Sequence, residues 1–212
     1  MIYRAFLGAT LCMLVGSGCA LTSKATPMSP RYFSPEQVPD SRAPSSPRSA
    51  SKAAAPALQL GQVASASHLD ERIAYRVGAT ELGFYDDRRW TELPEAYLRR
   101  ALERELFEDR GLERMITGGG PTLDVELIAF EELRGAPTRA RVTLHFSLHD
   151  ERRSFLERSV DIEREVTIAS GADPAVRLAE TLSTTLRDAV RAVAEQVTAE
   201  LPTATRVAPT PD

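Results

Sequence analysis

The chain has little of the side-chain chemistry on which most catalytic and metal sites depend. Its 212 residues include two cysteines, three histidines and one tryptophan. Two cysteines are too few for a disulfide-rich scaffold. The hydrophobic core must therefore hold the domain together. Basic residues are not in excess either, since the formal net charge is −4. A nucleic-acid-binding protein would instead show a basic patch and a high isoelectric point.

The residues that could support catalysis do not form a recognisable motif. His145 and His149 are four apart, but the alternation around them predicts a strand, where this spacing covers about 13 Å and prevents shared metal binding. Gly118–Gly120 is followed by Pro121 rather than by the Lys and Ser/Thr of a P-loop. No G-x-S-x-G nucleophile elbow is present. We therefore expect no catalytic residues, no metal ligands and no cofactor; a hydrolase with an unrecognised site is the weaker alternative.

The N-terminus has the pattern of an export signal. Arg4 precedes a short apolar run, and small residues then lead into Cys19. This order is typical of a secretory signal peptide. The cysteine at the cleavage position makes the segment resemble a bacterial lipoprotein signal, although Gly16 stands where such signals prefer Leu. We predict that residues 1–18 are removed and that Cys19 is acylated; secretion without a lipid is the alternative.

Composition divides the remaining chain into three parts. Residues 19–56 are rich in Ser, Pro and Ala and contain too few large apolar side chains to offset the entropy of ordering. We expect a tether with a mean reach of about 30–35 Å. Tyr32 and Phe33 interrupt it and suggest a short strand docked on the domain. Residues 57–201 are expected to form one domain, and residues 202–212 a flexible tail.

Alternating apolar and polar residues predict a sheet. A period of two marks half-buried strands, and the short polar connections between the last three segments predict an antiparallel meander. A hairpin is expected where Gly78-Ala79-Thr80 separates two such segments. The alternating segments are Leu58–Val63, Arg72–Gly78, Glu81–Asp86, Leu123–Ala129, Val142–Leu148 and Leu156–Ile168.

Two further segments have the spacing and end signals of helices. The first is expected to run from a cap at Thr91 to about Arg110, with Leu93 on its apolar face. Asp173-Pro174 opens the second, as a capping residue followed by a proline at the first helical position, and Pro202 is expected to end it. Together the elements predict an α/β (α+β) fold, with a mixed, largely antiparallel sheet of five to six strands packed with two main helices.

Four segments together resemble the ABC-type transport auxiliary lipoproteins, the PqiC-like group. The resemblance is strongest around Arg89 and Trp90, where a strand leads through Arg-Trp into a helix, and it covers most of the chain from Leu58 to about Val197. The Ser/Pro/Ala-rich insert after Tyr32-Phe33 is a departure from that group. The segments are Leu58–Val63, His68–Arg76, Glu81–Trp90 and Pro94–Leu102.

The resemblance implies a periplasmic domain similar to the N-terminal domains of TolB-type proteins. It also implies a subunit of an envelope transport system for lipid or other apolar cargo, in which a separate ATPase, a permease and an MCE-domain protein are the partners. Ala20 follows the cysteine, and by the sorting rule of such lipoproteins this implies an anchor in the outer membrane that faces the periplasm. The alternative function is a structural envelope lipoprotein that binds peptidoglycan or another outer-membrane protein.

The possible partner contact lies in the segment where the resemblance is strongest. Tyr85, Arg88, Arg89 and Trp90 belong to the residue types that dominate binding hot spots, which makes them a candidate partner contact. For Trp90 the favoured interpretation is a core position that fixes the start of the following helix, and the surface contact is the alternative.

Overall fold

The computed structural model of the protein describes residues 29–35, 55–116 and 118–206, with side chains as far as Leu201. The expected signal peptide, the expected lipidation site Cys19, most of the tether and the end of the tail lie outside the described residues. Within the described part, no helix is long and apolar enough to cross a membrane.

Eight strands form the sheet in this part of the chain. Six of them correspond to the alternating segments, and β1 confirms the short docked strand that Tyr32 and Phe33 suggest. The remaining strand, β5, has two residues and is too short to show alternation. The strands are β1 Arg31–Phe33, β2 Ala57–Ser65, β3 Arg72–Val77, β4 Glu81–Trp90, β5 Glu113–Arg114, β6 Thr122–Arg134, β7 Arg139–His149 and β8 Ser154–Glu165.

The long strand β6 is the centre of this sheet. One of its edges pairs with β7 in antiparallel fashion, and β8 continues the predicted meander on the far side of β7. Its other edge is shared, because β2 runs parallel to its first half and β3 runs parallel to its second half. Strand β4 pairs with β3 as the predicted hairpin, and β1 lies parallel to β4 at the edge. The fold is therefore α+β with a mixed, largely antiparallel sheet, as predicted.

The first helix, α1 (Pro94–Glu103), continues as a π-helical turn over Arg104–Asp109. The chain then leaves the helix at Gly111, whose φ of 68° suits a glycine after a helix end. The prediction that Thr91 caps α1 is wrong, because the N-cap is Leu93 and it makes no side-chain capping bond. Leu93 lies outside the helix and is 45% exposed, so it is not part of the apolar face.

The second helix, α2 (Pro174–Arg206), begins as predicted. Oδ1 of Asp173 accepts a hydrogen bond of 2.9 Å from the backbone N–H of Ala175, which confirms the cap. The prediction that Pro202 ends the helix is wrong, since α2 continues to Arg206. A proline inside a helix removes one backbone donor and clashes with the carbonyl four residues earlier, which favours a helix end. In α2 the backbone nevertheless stays helical for the four residues after Pro202. The buried stripe is confirmed and consists of Leu178, Leu182, Leu186, Ala189, Val193 and Val197.

The core lies between the helices and one face of the sheet. Helix α2 contacts β6, β7 and β8, and α1 contacts β2, β6 and α2. Every second residue of β7 points into this core, so the strand shows the period of two that its sequence predicts. These residues are Ala140, Val142, Leu144, Phe146 and Leu148, each at most 1% exposed.

The opposite face of the sheet carries a buried charge. Glu131 on β6 is 0% exposed, which is rare for a glutamate unless its charge is paired. Arg76 on β3 donates to its carboxylate from Nε at 2.8 Å and from Nη2 at 3.1 Å, and Arg141 on β7 also donates to it. Both arginines keep about a fifth to a quarter of their side-chain surface exposed, 21% and 24%. The three residues form one ion cluster across the three central strands.

We predict that Glu131→Ala lowers the free energy of unfolding by about 3 kcal/mol, because two arginines then face each other without the buried carboxylate between them. Chemical denaturation measures this change. Glu126→Ala removes an exposed carboxylate from the same strand and is expected to change the value by about 0.5 kcal/mol or less. Equal effects of the two substitutions would contradict a stabilising role of the ion cluster.

Candidate partner-contact site

Trp90 lies at the end of β4, where the chain turns toward α1. Its ring is 1% exposed and stacks on Phe130 of β6, with centroids 4.7 Å apart and planes at 19°. Tyr97 of α1 meets the same ring edge to face at 6.5 Å. The indole therefore joins sheet and helix inside the core. Of the two sequence-based interpretations, the core position is the one observed, and the interpretation of Trp90 as a surface contact is corrected.

The surface part of the expected site is a cluster of stacked rings and guanidinium groups, which we name the Tyr85 cluster. It consists of Tyr75, Tyr85, Arg88, Glu132 and Arg134. The rings of Tyr75 and Tyr85 meet edge to face, with centroids 5.1 Å apart. The guanidinium of Arg134 lies 3.3 Å from the Tyr75 ring centroid, and that of Arg88 lies 3.8 Å from the Tyr85 centroid. Each cation–π contact of this kind contributes about 0.5–1 kcal/mol at an exposed position.

The strands that carry the cluster fix its geometry. Glu132 and Arg134 follow Phe130 at intervals of two on β6, so they share the sheet face of that core residue. Tyr75 pairs in register with Glu132 and with Gly83. Gly83 is required at this place, because a Cβ atom there would come within 2.4 Å of the Tyr75 ring. The cluster is thus the continuation of the core face onto the surface.

One hydrogen bond ties the ring of Tyr85 to the sheet. Its hydroxyl donates to Oε2 of Glu132, whose side chain is only 12% exposed. Burial, and then this hydrogen bond to a carboxylate, raise the pKa of Tyr85 above its ordinary value of 10.0. The tyrosine therefore stays neutral in the physiological range and acts as an amphipathic ring with its polar atom already satisfied.

The two arginines of the cluster differ in their access to a partner. Nε of Arg88 is buried, lies 3.7 Å from Oδ1 of Asp87, beyond hydrogen-bond distance, and has no hydrogen-bond partner among the described residues. The side chain of Arg134 is 38% exposed. A shallow depression of about 350 Å³ lies beside these rings, lined by Tyr75, Phe84, Tyr85, Asp86, Asp87 and Arg134. The arrangement suits contact with a polypeptide surface, since flat rings and fixed guanidinium groups lose little entropy on binding.

The structure does not bring all four residues expected at the site together. Tyr85 and Arg88 belong to the cluster, whereas Arg89 is half-buried on the other face of β4, in register with Tyr32 of β1 and Arg72 of β3. Trp90 supports them from the core. Sequence reasoning missed Tyr75 and Arg134, which lie on other strands; the signal that could have found them is their position on half-buried strands next to Gly78 and Gly135.

His145 and His149 lie on β7, as the alternation predicts. Nε2 of His149 is 3.0 Å from Oδ2 of Asp124, and Nδ1 of His145 is 3.2 Å from Oγ of Ser159. No three His, Cys, Asp or Glu side chains among the described residues are placed to hold a metal ion together. The hydrogen bond to Asp124 is the first cause that raises the pKa of His149 above its ordinary value of 6.5.

The comparison with protein families identifies the chain. The model of the family described as ABC-type transport auxiliary lipoprotein component matches residues 39–198, which is most of the sequence. The chain therefore belongs to this family, as the resemblance around Arg89 and Trp90 indicates. Membership assigns it to the transport-associated lipoproteins of the cell envelope. A search of curated proteins found no match.

Solved structures show the same fold. A protein of family DUF330 from Xanthomonas campestris aligns with a TM-score of 0.63 at 18% identity, and the alignment covers 84% of this chain and 99% of that one. A hypothetical protein from Chlamydia trachomatis aligns with a TM-score of 0.50 at 9% identity, over 70% and 98% of the two chains. At such low identities the likeness concerns the fold alone.

We predict that Trp90→Ala lowers the free energy of unfolding by about 3–5 kcal/mol, because it opens a cavity between Phe130 and Tyr97. Leu93→Ala, at a 45% exposed position three residues further on, is expected to cost about 1 kcal/mol or less. Thermal or chemical denaturation of both variants checks the difference. A stable Trp90→Ala variant would contradict the core role.

We also predict a pH-dependent contribution of His149. Because its folded-state pKa is raised, the interaction with Asp124 stabilises the fold below the unfolded pKa and is lost as the pH rises through the folded pKa. The loss of stability in His149→Gln should therefore be larger at about pH 5.5 than at about pH 8.5. The same substitution made in an Asp124→Asn background should lose this pH dependence; if it does not, Asp124 is not the cause.

Proposed function

We propose that the protein is a non-catalytic, periplasmic lipoprotein subunit of an ABC/MCE-type transport system for lipid or other apolar cargo. In this proposal it docks the transporter at the outer membrane. The observation that carries it is the family match over residues 39–198. In the described part of the chain, Ser159 Oγ and Glu157 Oε1 lie 3.2 and 3.5 Å from the ring nitrogens of His145, but the side chains of His145 and Glu157 are 38% and 64% exposed, so we interpret the group as a surface contact.

The proposed anchor is an acylated Cys19, which follows an N-terminal segment with the pattern of an export signal. Each buried CH₂ contributes about 0.8 kcal/mol, so several acyl chains hold a protein lastingly at a bilayer. A protein held in this way reaches its partner at a high effective concentration, and a weak contact then suffices. Ala20 after the cysteine supports the outer membrane as the site of the anchor.

The proposed contact with the transporter, an MCE-domain protein or a permease, is the Tyr85 cluster; Arg89 lies on the other face of β4 and is not part of this surface. Two features support it: an exposed guanidinium on Arg134 and a rigid support of rings on adjacent strands. Tyrosine and arginine dominate hot spots because they combine a large contact area with directional hydrogen bonds.

We predict that Arg88→Glu combined with Arg134→Glu lowers the recovery of the MCE-domain protein or permease in a pull-down with the lipidated protein by tenfold or more, about the effect of one hot spot. The matched control is Arg158→Glu, an exposed charge reversal on β8 at the far edge of the sheet. Circular dichroism shows that the variants are folded.

Two outcomes would contradict the proposal. Recovery of cell-wall fragments instead of transporter subunits supports a structural role at the peptidoglycan. If a Cys19→Ala variant still sediments with membranes as the unchanged protein does, the proposed anchor is wrong. Mass spectrometry of the mature N-terminus tests the acylation directly.

A further inference from the structure

The strand β1 belongs to the tether by sequence but to the domain by structure. Arg31, Tyr32 and Phe33 pair in parallel with Arg88, Arg89 and Trp90. The carbonyl of Phe33 accepts a hydrogen bond of 3.0 Å from the backbone N–H of Thr91. This segment lies outside residues 39–198, which the family model matches.

Side chains at both ends hold β1 in place. Phe33 is partly buried and packs against the core next to Trp90. Nη2 of Arg31 lies 2.8 Å from Oδ2 of Asp173, the residue that also caps α2. Between them, Tyr32 is 59% exposed, as expected for an edge strand with one free face. One strand thus joins the edge of the sheet to the start of the second helix.

The position of β1 along the chain divides the tether unequally. Eleven residues, 20–30, separate Cys19 from Arg31, whereas thirty-seven separate Cys19 from Ala57 at the start of β2. We name residues 20–30 the leash. By chain statistics, eleven residues span about 20 Å on average and at most about 40 Å, against a mean of about 35 Å for thirty-seven.

We propose that β1 is a docking strand that makes the leash, rather than the whole Ser/Pro/Ala-rich tether, the link between membrane and domain. This inference rests on the proposed acylation of Cys19. In it, the bilayer is joined to the domain at Arg31, and residues 36–54, which follow β1 in the sequence, do not lie between Cys19 and that attachment point. Since Arg31 pairs with Arg88, the leash ends beside the Tyr85 cluster.

The shorter link changes what the domain can reach. Effective concentration falls roughly as the −3/2 power of linker length, so the leash raises the concentration of the domain near the bilayer about sixfold over the full tether. The length of residues 36–54 then has no influence on the distance to the bilayer.

Two insertions in the lipidated full-length protein test this. A Gly/Ser segment of about 24 residues after Thr26 lengthens the leash and should raise the mean distance from the bilayer by about 15 Å. The same segment after Ser46 should leave the distance unchanged. Energy transfer from a dye on Thr80→Cys, at the exposed β3–β4 turn, to acceptor lipids in phosphatidylethanolamine/phosphatidylglycerol vesicles measures both distances.

A third protein with Arg31→Ala and Phe33→Ala serves as the released state. In this background the insertion after Ser46 should increase the distance, while circular dichroism shows that the domain remains folded. If both insertions increase the distance from the bilayer equally in the protein that keeps Arg31 and Phe33, the docking strand is overturned, while the proposed anchor still holds. Failure of the unchanged protein to associate with vesicles overturns the anchor of the proposed function, and the leash with it.

Discussion

The structure depends on the pairing of β6 along both of its edges. β7 occupies one edge over nearly its whole length, whereas β2 and β3 divide the other between them. Because β2 and β3 both run parallel to β6, each must be joined to it by a crossover, and α1 lies on the path that makes this connection. The position of the first helix, and with it the burial of Trp90 under that helix, follows from this arrangement.

The central position of β6 also explains the buried carboxylate. Glu131 lies where three strands meet, so its neighbours on both sides shield it from water, and two arginines from β3 and β7 supply the compensating charge. A shift of one residue in either pairing would turn Glu131 toward the apolar face. We infer that the ion cluster helps to specify the register, a role that buried polar groups have in some proteins.

Most strands and helices could be predicted from the sequence, but which of them lie next to one another in space could not. Alternation located six strands, and Asp173-Pro174 located the start of α2, because these signals are local. Pairing is not local: nothing near Glu131 shows that Arg76 and Arg141 will flank it. For the same reason Tyr85, Arg88 and Arg89 could be proposed from one segment, but Tyr75 and Arg134 required the register of β3, β4 and β6.

The core and the candidate site are parts of one sheet face, and this links stability to the proposed contact. Phe130, Glu132 and Arg134 succeed one another on β6, from a stacked core ring to a hydrogen-bonded carboxylate to an exposed guanidinium. A surface built on such a strand is already ordered before a partner arrives, which lowers the entropic cost of binding. With β1 paired to the same hairpin, the proposed membrane link ends a few residues away, so a partner and a bilayer would act on one edge of one rigid domain.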